Sequence, residues 1–117
     1  MIDLLMHTAQ TYVHWLVLFN EGKDVIAFDK KDITDINAVE LIYKEADLAV
    51  NNLLLKYSAD YLQTFTKQLP GREISVTIIP LQLFTHVITH EFHHKGQILS
   101  MSRLLGYTPV DTDVIRT

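Results

Sequence analysis

No cysteine occurs anywhere in the 117 residues. That absence removes disulfides, thiolate zinc ribbons and cysteine nucleophiles from consideration. Lysine and arginine together number 10 against 14 acidic residues, the net charge is −4, and no run of four basic residues occurs. Sequence-independent nucleic-acid binding draws on clustered cations, so no nucleic-acid partner is expected. No apolar stretch approaches the roughly 20 residues of a membrane span. The start, Met1-Ile2-Asp3-Leu4-Leu5, lacks the cationic segment of a secretory signal. A cytoplasmic protein with no membrane partner is the expectation. Repeats, low-complexity tracts and linkers are also missing, so one domain spanning 1–117 is expected, and 48% apolar composition suffices for its core.

Three segments carry helical periodicity. From about Ile2 to Phe19, the residues Leu5, Ala9, Tyr12, Leu16 and Phe19 recur at three or four. Asn20-Glu21-Gly22 supplies a stop. From about Ile36 to Tyr57, the apolar stripe is Val39, Ile42, Ala46, Ala49, Leu53 and Tyr57, with Thr34, Asp35 or Asn37 as the cap. The third begins near Pro80, a good first-turn residue, and runs to about Leu105 before Gly106 ends it. Between the last two, Thr64 to Gln68 and Glu73 to Ile79 are rich in Thr, Val, Ile and Phe. They flank Leu69-Pro70-Gly71-Arg72, where Pro70 and Gly71 suit the centre of a type II turn, predicting a β-hairpin. The fold class is mainly α: a helical bundle with a small hairpin before the last helix. Trp15 to Phe19 are apolar almost all round the first helix, so something further must cover them. Self-association is the economical expectation.

Four of the six histidines fall between His86 and His94. On a helix His86, His90 and His94 are successive i, i+4 neighbours, and neutral imidazoles one turn apart can converge on a divalent metal. Laid out at about 100° per residue, His94 falls within the apolar stripe of Val87, Ile98, Met101 and Leu105, with His90 at its edge. His86 and His93 point further out. Ile88, Phe92 and Leu99 form a second apolar group. Glu91 and Lys95 lie between the groups, turned away from the histidine face and placed for an i, i+4 ion pair. His90 and His94 need a third ligand. His7 and His14, roughly 10 Å apart on one face of the first helix, are the remaining histidines, and spacing alone does not choose between them. The competing reading of His14 is a partly buried ring beside Trp15. His86 and His93 fit a surface or supporting role better than ligation. Gly96, poor inside a helix, suggests close approach of another backbone or a ligand.

His90-Glu91-Phe92-His93-His94 matches HExxH, in which two histidines bind zinc and the glutamate is a general base. The context argues against a peptidase. Gly96 comes two residues after His94, no later histidine or glutamate follows, and only Asp111 and Asp113 remain as downstream acids. The chain is also short for a substrate-binding sheet.

Leu4-Leu5-Met6-His7-Thr8-Ala9-Gln10-Thr11-Tyr12 and Thr89-His90-Glu91-Phe92-His93-His94-Lys95-Gly96-Gln97 resemble the two signature segments of the DinB/YfiT-like superfamily. Leu104-Leu105-Gly106-Tyr107-Thr108-Pro109 resembles the end of its last helix. The resemblance implies a four-helix bundle, commonly dimeric, with a divalent ion, zinc or nickel foremost, held by three histidines. Carried over, these are His7, His90 and His94, with Glu91, His93 and His14 as supporting or catalytic candidates. The family's first helix has no counterpart before Leu4, so a truncated start or packing from another subunit is expected. Some relatives transfer low-molecular-weight thiols such as bacillithiol or mycothiol. The resemblance therefore implies a metal-dependent thiol transferase or hydrolase acting on a small thiol or electrophile. The alternative is a non-enzymatic, metal-stabilised homodimeric binding module.

Overall fold

The computed structural model describes residues 2–24 and 35–112. Thr34, one of the three cap candidates, and Asp113 lie outside the described residues. The order is α1 (Ile2–Val13), a π-helical continuation (His14–Phe19), α2 (Ile36–Lys56), β1 (Phe65–Gln68), β2 (Ser75–Ile78) and α3 (Pro80–Leu104). The protein is mainly α with a two-stranded antiparallel hairpin before the last helix. Among the described residues the helices number three, not the four of the family bundle.

Of the candidate caps, Asp35 starts α2: its Oδ1 accepts the Ala38 N–H at 2.9 Å, satisfying a donor that the first turn leaves open. The expected stripe faces inward, with Val39, Ile42, Ala46, Ala49 and Leu53 all buried. Met6 and Ala9 of α1 meet Val39 and Ile42 at one end. Tyr12, Leu16 and Phe19 meet Ala46, Ala49 and Leu53 further along, joined by Leu83 and Val87 of α3. The alanines let the backbones approach, while each fully buried leucine contributes about 2 kcal/mol of apolar burial.

The first helix does not keep its 3.6-residue period. From His14 it widens, and the Asn20 N–H reaches back five residues to the Trp15 carbonyl. The widened turn ends with Asn20 buried at 1% exposure. There the Asn20 carbonyl accepts from Lys67 of β1, and its Oδ1 accepts the Tyr57 hydroxyl at 2.6 Å. Burial, reinforced by the nearby Lys56 ammonium, lowers the Lys67 pKa below the ordinary lysine value. One buried amide thus ties the first helix to both α2 and the hairpin.

The hairpin covers part of the apolar surface of Trp15 to Phe19. Trp15 and Val17 pack with Phe65, Leu69, Val76 and Ile78 around the main core. Its register pairs Phe65 with Ile78 and Lys67 with Val76, the inward-facing positions. On the outer face the Thr66 and Thr77 hydroxyls meet at 2.7 Å. The turn is the one expected: the Arg72 N–H donates to the Leu69 carbonyl at 3.1 Å, and Gly71 has φ +70°. Pro80 opens α3, where Gln82 Oε1 accepts the Ile79 N–H at 3.0 Å, and Gly106 ends it at φ +90°. Beyond Val87 no residue of α3 is fully buried. The histidine segment therefore lies in the half of the helix with an open face. Leu105 and Phe92, placed in apolar groups on the wheel, are exposed, as is Gly96, which has nothing within 4 Å of the position of a Cβ. Of the two approaches expected at Gly96, that of another backbone is not found among the described residues.

Candidate metal centre

α1 and α3 pack side by side, and this brings the two ends of the chain together at the histidines. One ring nitrogen each from His7, His90 and His94 lie within 4.8 Å of one another. The ring centroids stand 4.9 Å apart for His7–His90 and His7–His94, and 4.5 Å for His90–His94. The Nε2 atoms of His7 and His90 face each other at 3.1 Å. A tetrahedral ion with bonds near 2.05 Å separates its nitrogen ligands by about 3.3 Å. The spacing of this pair is therefore close to that of two ligands on one ion.

The electrostatics suit ligation. Burial, followed by the neighbouring His94 and His7 rings, lowers the His90 pKa below the ordinary imidazole value, so that ring is neutral near pH 7. His94 Nδ1 lies 2.6 Å from Gln97 Oε1. A carbonyl oxygen only accepts, so Nδ1 carries a proton, and in the tautomer with that single ring proton Nε2 keeps its lone pair. Metal-binding histidines use such a partner on the second nitrogen to hold ring and tautomer. Buried His90 Nδ1 finds no comparable partner, so the outer hydrogen-bonding is built for one ligand and not the other. The donor set, three imidazole nitrogens, fits a borderline divalent ion.

The other candidates fall elsewhere. His14 is exposed, its ring edge-on to Trp15 at 5.5 Å, and outside the cluster. His86 is exposed and packs edge-on against Trp15 at 4.8 Å, one turn before His90 and outside the cluster. His93 is exposed and touches His94 ring to ring at 5.0 Å. Glu91 uses one oxygen to accept the Tyr12 hydroxyl and the other to pair with Lys95 at 2.9 Å, the i, i+4 ion pair expected. Both oxygens of this carboxylate are therefore already engaged. Burial first, then the bond to Glu91, holds the Tyr12 hydroxyl well above the usual phenol range.

Two residues with evident parts were not singled out by sequence reasoning. Gln97 stands three residues after His94, a spacing at which helix neighbours touch. Tyr12 belongs to the core stripe, and no local pattern announces that its hydroxyl meets a carboxylate 79 positions away.

An uncharacterized protein of Bacillus subtilis (strain 168), YizA, is 28% identical over 117 residues, covering 95% of this chain and 68% of the relative. The family model described as the DinB family matches residues 1–117, from before His7 to beyond His94. This chain, with its ends joined at the histidines of α1 and α3, belongs to the DinB family.

Proposed function

We propose that residues 1–117 act as one domain that holds a divalent metal ion, zinc or nickel, through His7, His90 and His94. We read it as a metal-dependent enzyme of the thiol-transferase or hydrolase type. The observation that carries this is the convergence of three imidazole nitrogens from the two ends of the sequence within 4.8 Å. When bound, such an ion acts as a Lewis acid that lowers the pKa of a thiol or water at an open position. The chain's own residues do the rest. His90 stays neutral through burial, and Gln97 holds the His94 tautomer. The Tyr12–Glu91–Lys95 chain pins α1 to α3 one residue from His90. The exposed His93 ring beside His94 is the group best placed to exchange protons with solvent. A small thiol and an organic electrophile are the substrates this reading assigns, in the cytoplasm, without nucleic acid or membrane.

The test is metal content of untagged protein. One ion per chain is expected in the native sequence, with His90→Ala, His94→Ala or His7→Ala each losing it. Undiminished stoichiometry in all three variants rejects the site.

A second reading is a metal-stabilised homodimeric binding module. It is favoured by Leu41, Leu48 and Leu55, which recur every seven residues on α2 and are 64%, 60% and 74% exposed. Metal-dependent product from a panel of thiols and electrophiles supports the enzyme. Metal removal that only separates and melts a dimer supports the module.

A further inference from the structure

Among the described residues, three cavities border α3, and one shares the face of the histidine cluster. The largest, about 470 Å³, is bounded on α3 by Phe84, Ile88 and Glu91, roughly 100–160° round the helix from His90 at 100° per residue. A second, about 210 Å³, touches α3 only at Pro80, Leu81 and Phe84, more than about one and a half turns from His90. The third, about 260 Å³, takes Leu83 and His86 from α3, Trp15 from the widened turn, and Leu69, Val76 and Ile78 from the hairpin. Leu83 and His86 lie within about 40° of His90 on the wheel. His86 is one turn before His90, about 6 Å along the axis.

The walls of this third cavity are built in. Leu83 is buried at 2% exposure, and Trp15, Leu69, Val76 and Ile78 pack against the main core. Its polar groups are few. Gln82 already spends its carbonyl oxygen on the Ile79 N–H, and His86 stands at the rim on the side of the cluster with its ring against Trp15. No charged side chain lines it. A dry cavity of about 150 Å³ takes one benzene ring, so this volume accepts a single ring with a short arm.

We propose that the pocket between Trp15, the hairpin and His86 is the substrate subsite of the histidine cluster, accepting an uncharged aromatic or branched aliphatic group. The reactive head of the same molecule then reaches His90. The proposal rests on the metal reading above for its direction, but not for the pocket itself. It also gives the widened turn a purpose, since that turn carries Trp15 into the wall.

Trp15 is the single tryptophan of the chain, so its fluorescence reports on the pocket directly. With nickel-loaded protein, 2-phenylethanethiol is expected to bind at least about tenfold more tightly than 2-mercaptoethanol, the increment of burying one small ring. It is also expected to shift the Trp15 emission. Val76→Phe, which fills the cavity, should reduce the preference to about twofold while nickel content stays at one per chain. Leu69→Phe serves as a second filling variant should the first not fold. Equal affinities for the two thiols on fully loaded native protein overturn the pocket and leave the metal reading standing. If the protein takes up no metal, benzyl alcohol is titrated into the metal-free chain. A saturable Trp15 change that the filling variants abolish supports the pocket although the metal reading falls. No saturable change overturns both.

Discussion

At the scale of single residues, the arrangement around His94 shows how a side chain with no ligand role controls one that has it. Gln97 Oε1 can only accept, so its 2.6 Å contact fixes the His94 proton on Nδ1. Replacing it with leucine keeps the helix and removes that control. Gln97→Leu is expected to weaken metal binding about 10–100-fold, measured by competition with a chromophoric chelator, at unchanged helical circular dichroism. Tyr12 makes a second case. Its folded pKa is raised by burial and by Glu91 above the ordinary value of 10.0. The folded state therefore holds a proton that the unfolded state releases above that pH, and stability drops as pH rises beyond it. Metal-free protein should lose stability above about pH 10, and Tyr12→Phe should flatten that decline. At neutral pH the same variant costs about 1 kcal/mol for the lost hydrogen bond, read from denaturant midpoints. An unaltered alkaline slope in Tyr12→Phe would remove Tyr12 as its cause.

At the scale of elements, the departures are as informative as the agreements. The α2 stripe and the hairpin turn follow local rules, and both are where the residues put them. The π-helical stretch does not follow from local pattern, because Leu16 and Phe19 keep ordinary helical spacing while Trp15, Val17 and Leu18 make the other sides apolar too. What selects the wider turn is the destination of Asn20, whose buried amide and carbonyl meet Tyr57 and Lys67. Two glycines separate the two uses of that residue. Gly71 sits at φ +70° in the hairpin turn, where an L side chain is strained, so Gly71→Ala should cost about 1 kcal/mol or more. Gly96 has ordinary helical backbone and nothing within 4 Å. Gly96→Ala should therefore stabilise α3 by about 1 kcal/mol in thermal unfolding. A loss at position 96 would show that something does approach there.

At the scale of the whole molecule, the histidine cluster closes the chain on itself. His7 and His90 lie 83 positions apart and meet at 3.1 Å, so an ion held between them braces α1 against α3. A ligand that binds only the folded state stabilises it by about 2.7 kcal/mol at a hundredfold excess over its Kd. Removing metal with a chelator should lower the melting temperature of the native protein by several degrees and leave that of His94→Ala unchanged. No helix among the described residues is long and apolar enough to cross a membrane.

The helices, the Pro70-Gly71 turn and the ion pair of Glu91 with Lys95 were legible from local spacing, because each depends on residues within a turn or two of one another, whereas the α2 cap was narrowed only to Thr34, Asp35 or Asn37. The pairing of His90 with His94 is of the same kind. Whether His7 or His14 joins them is not, since the two share a helix face and only the packing of α1 on α3 brings one of them within reach. The same holds for Trp15 against His86, for Tyr12 against Glu91, and for the hairpin covering a surface that had looked free. Periodicity reports which side of an element turns inward. It carries no information on what comes to meet that side, because that is decided by side-chain volumes and buried polar partners contributed from distant parts of the chain.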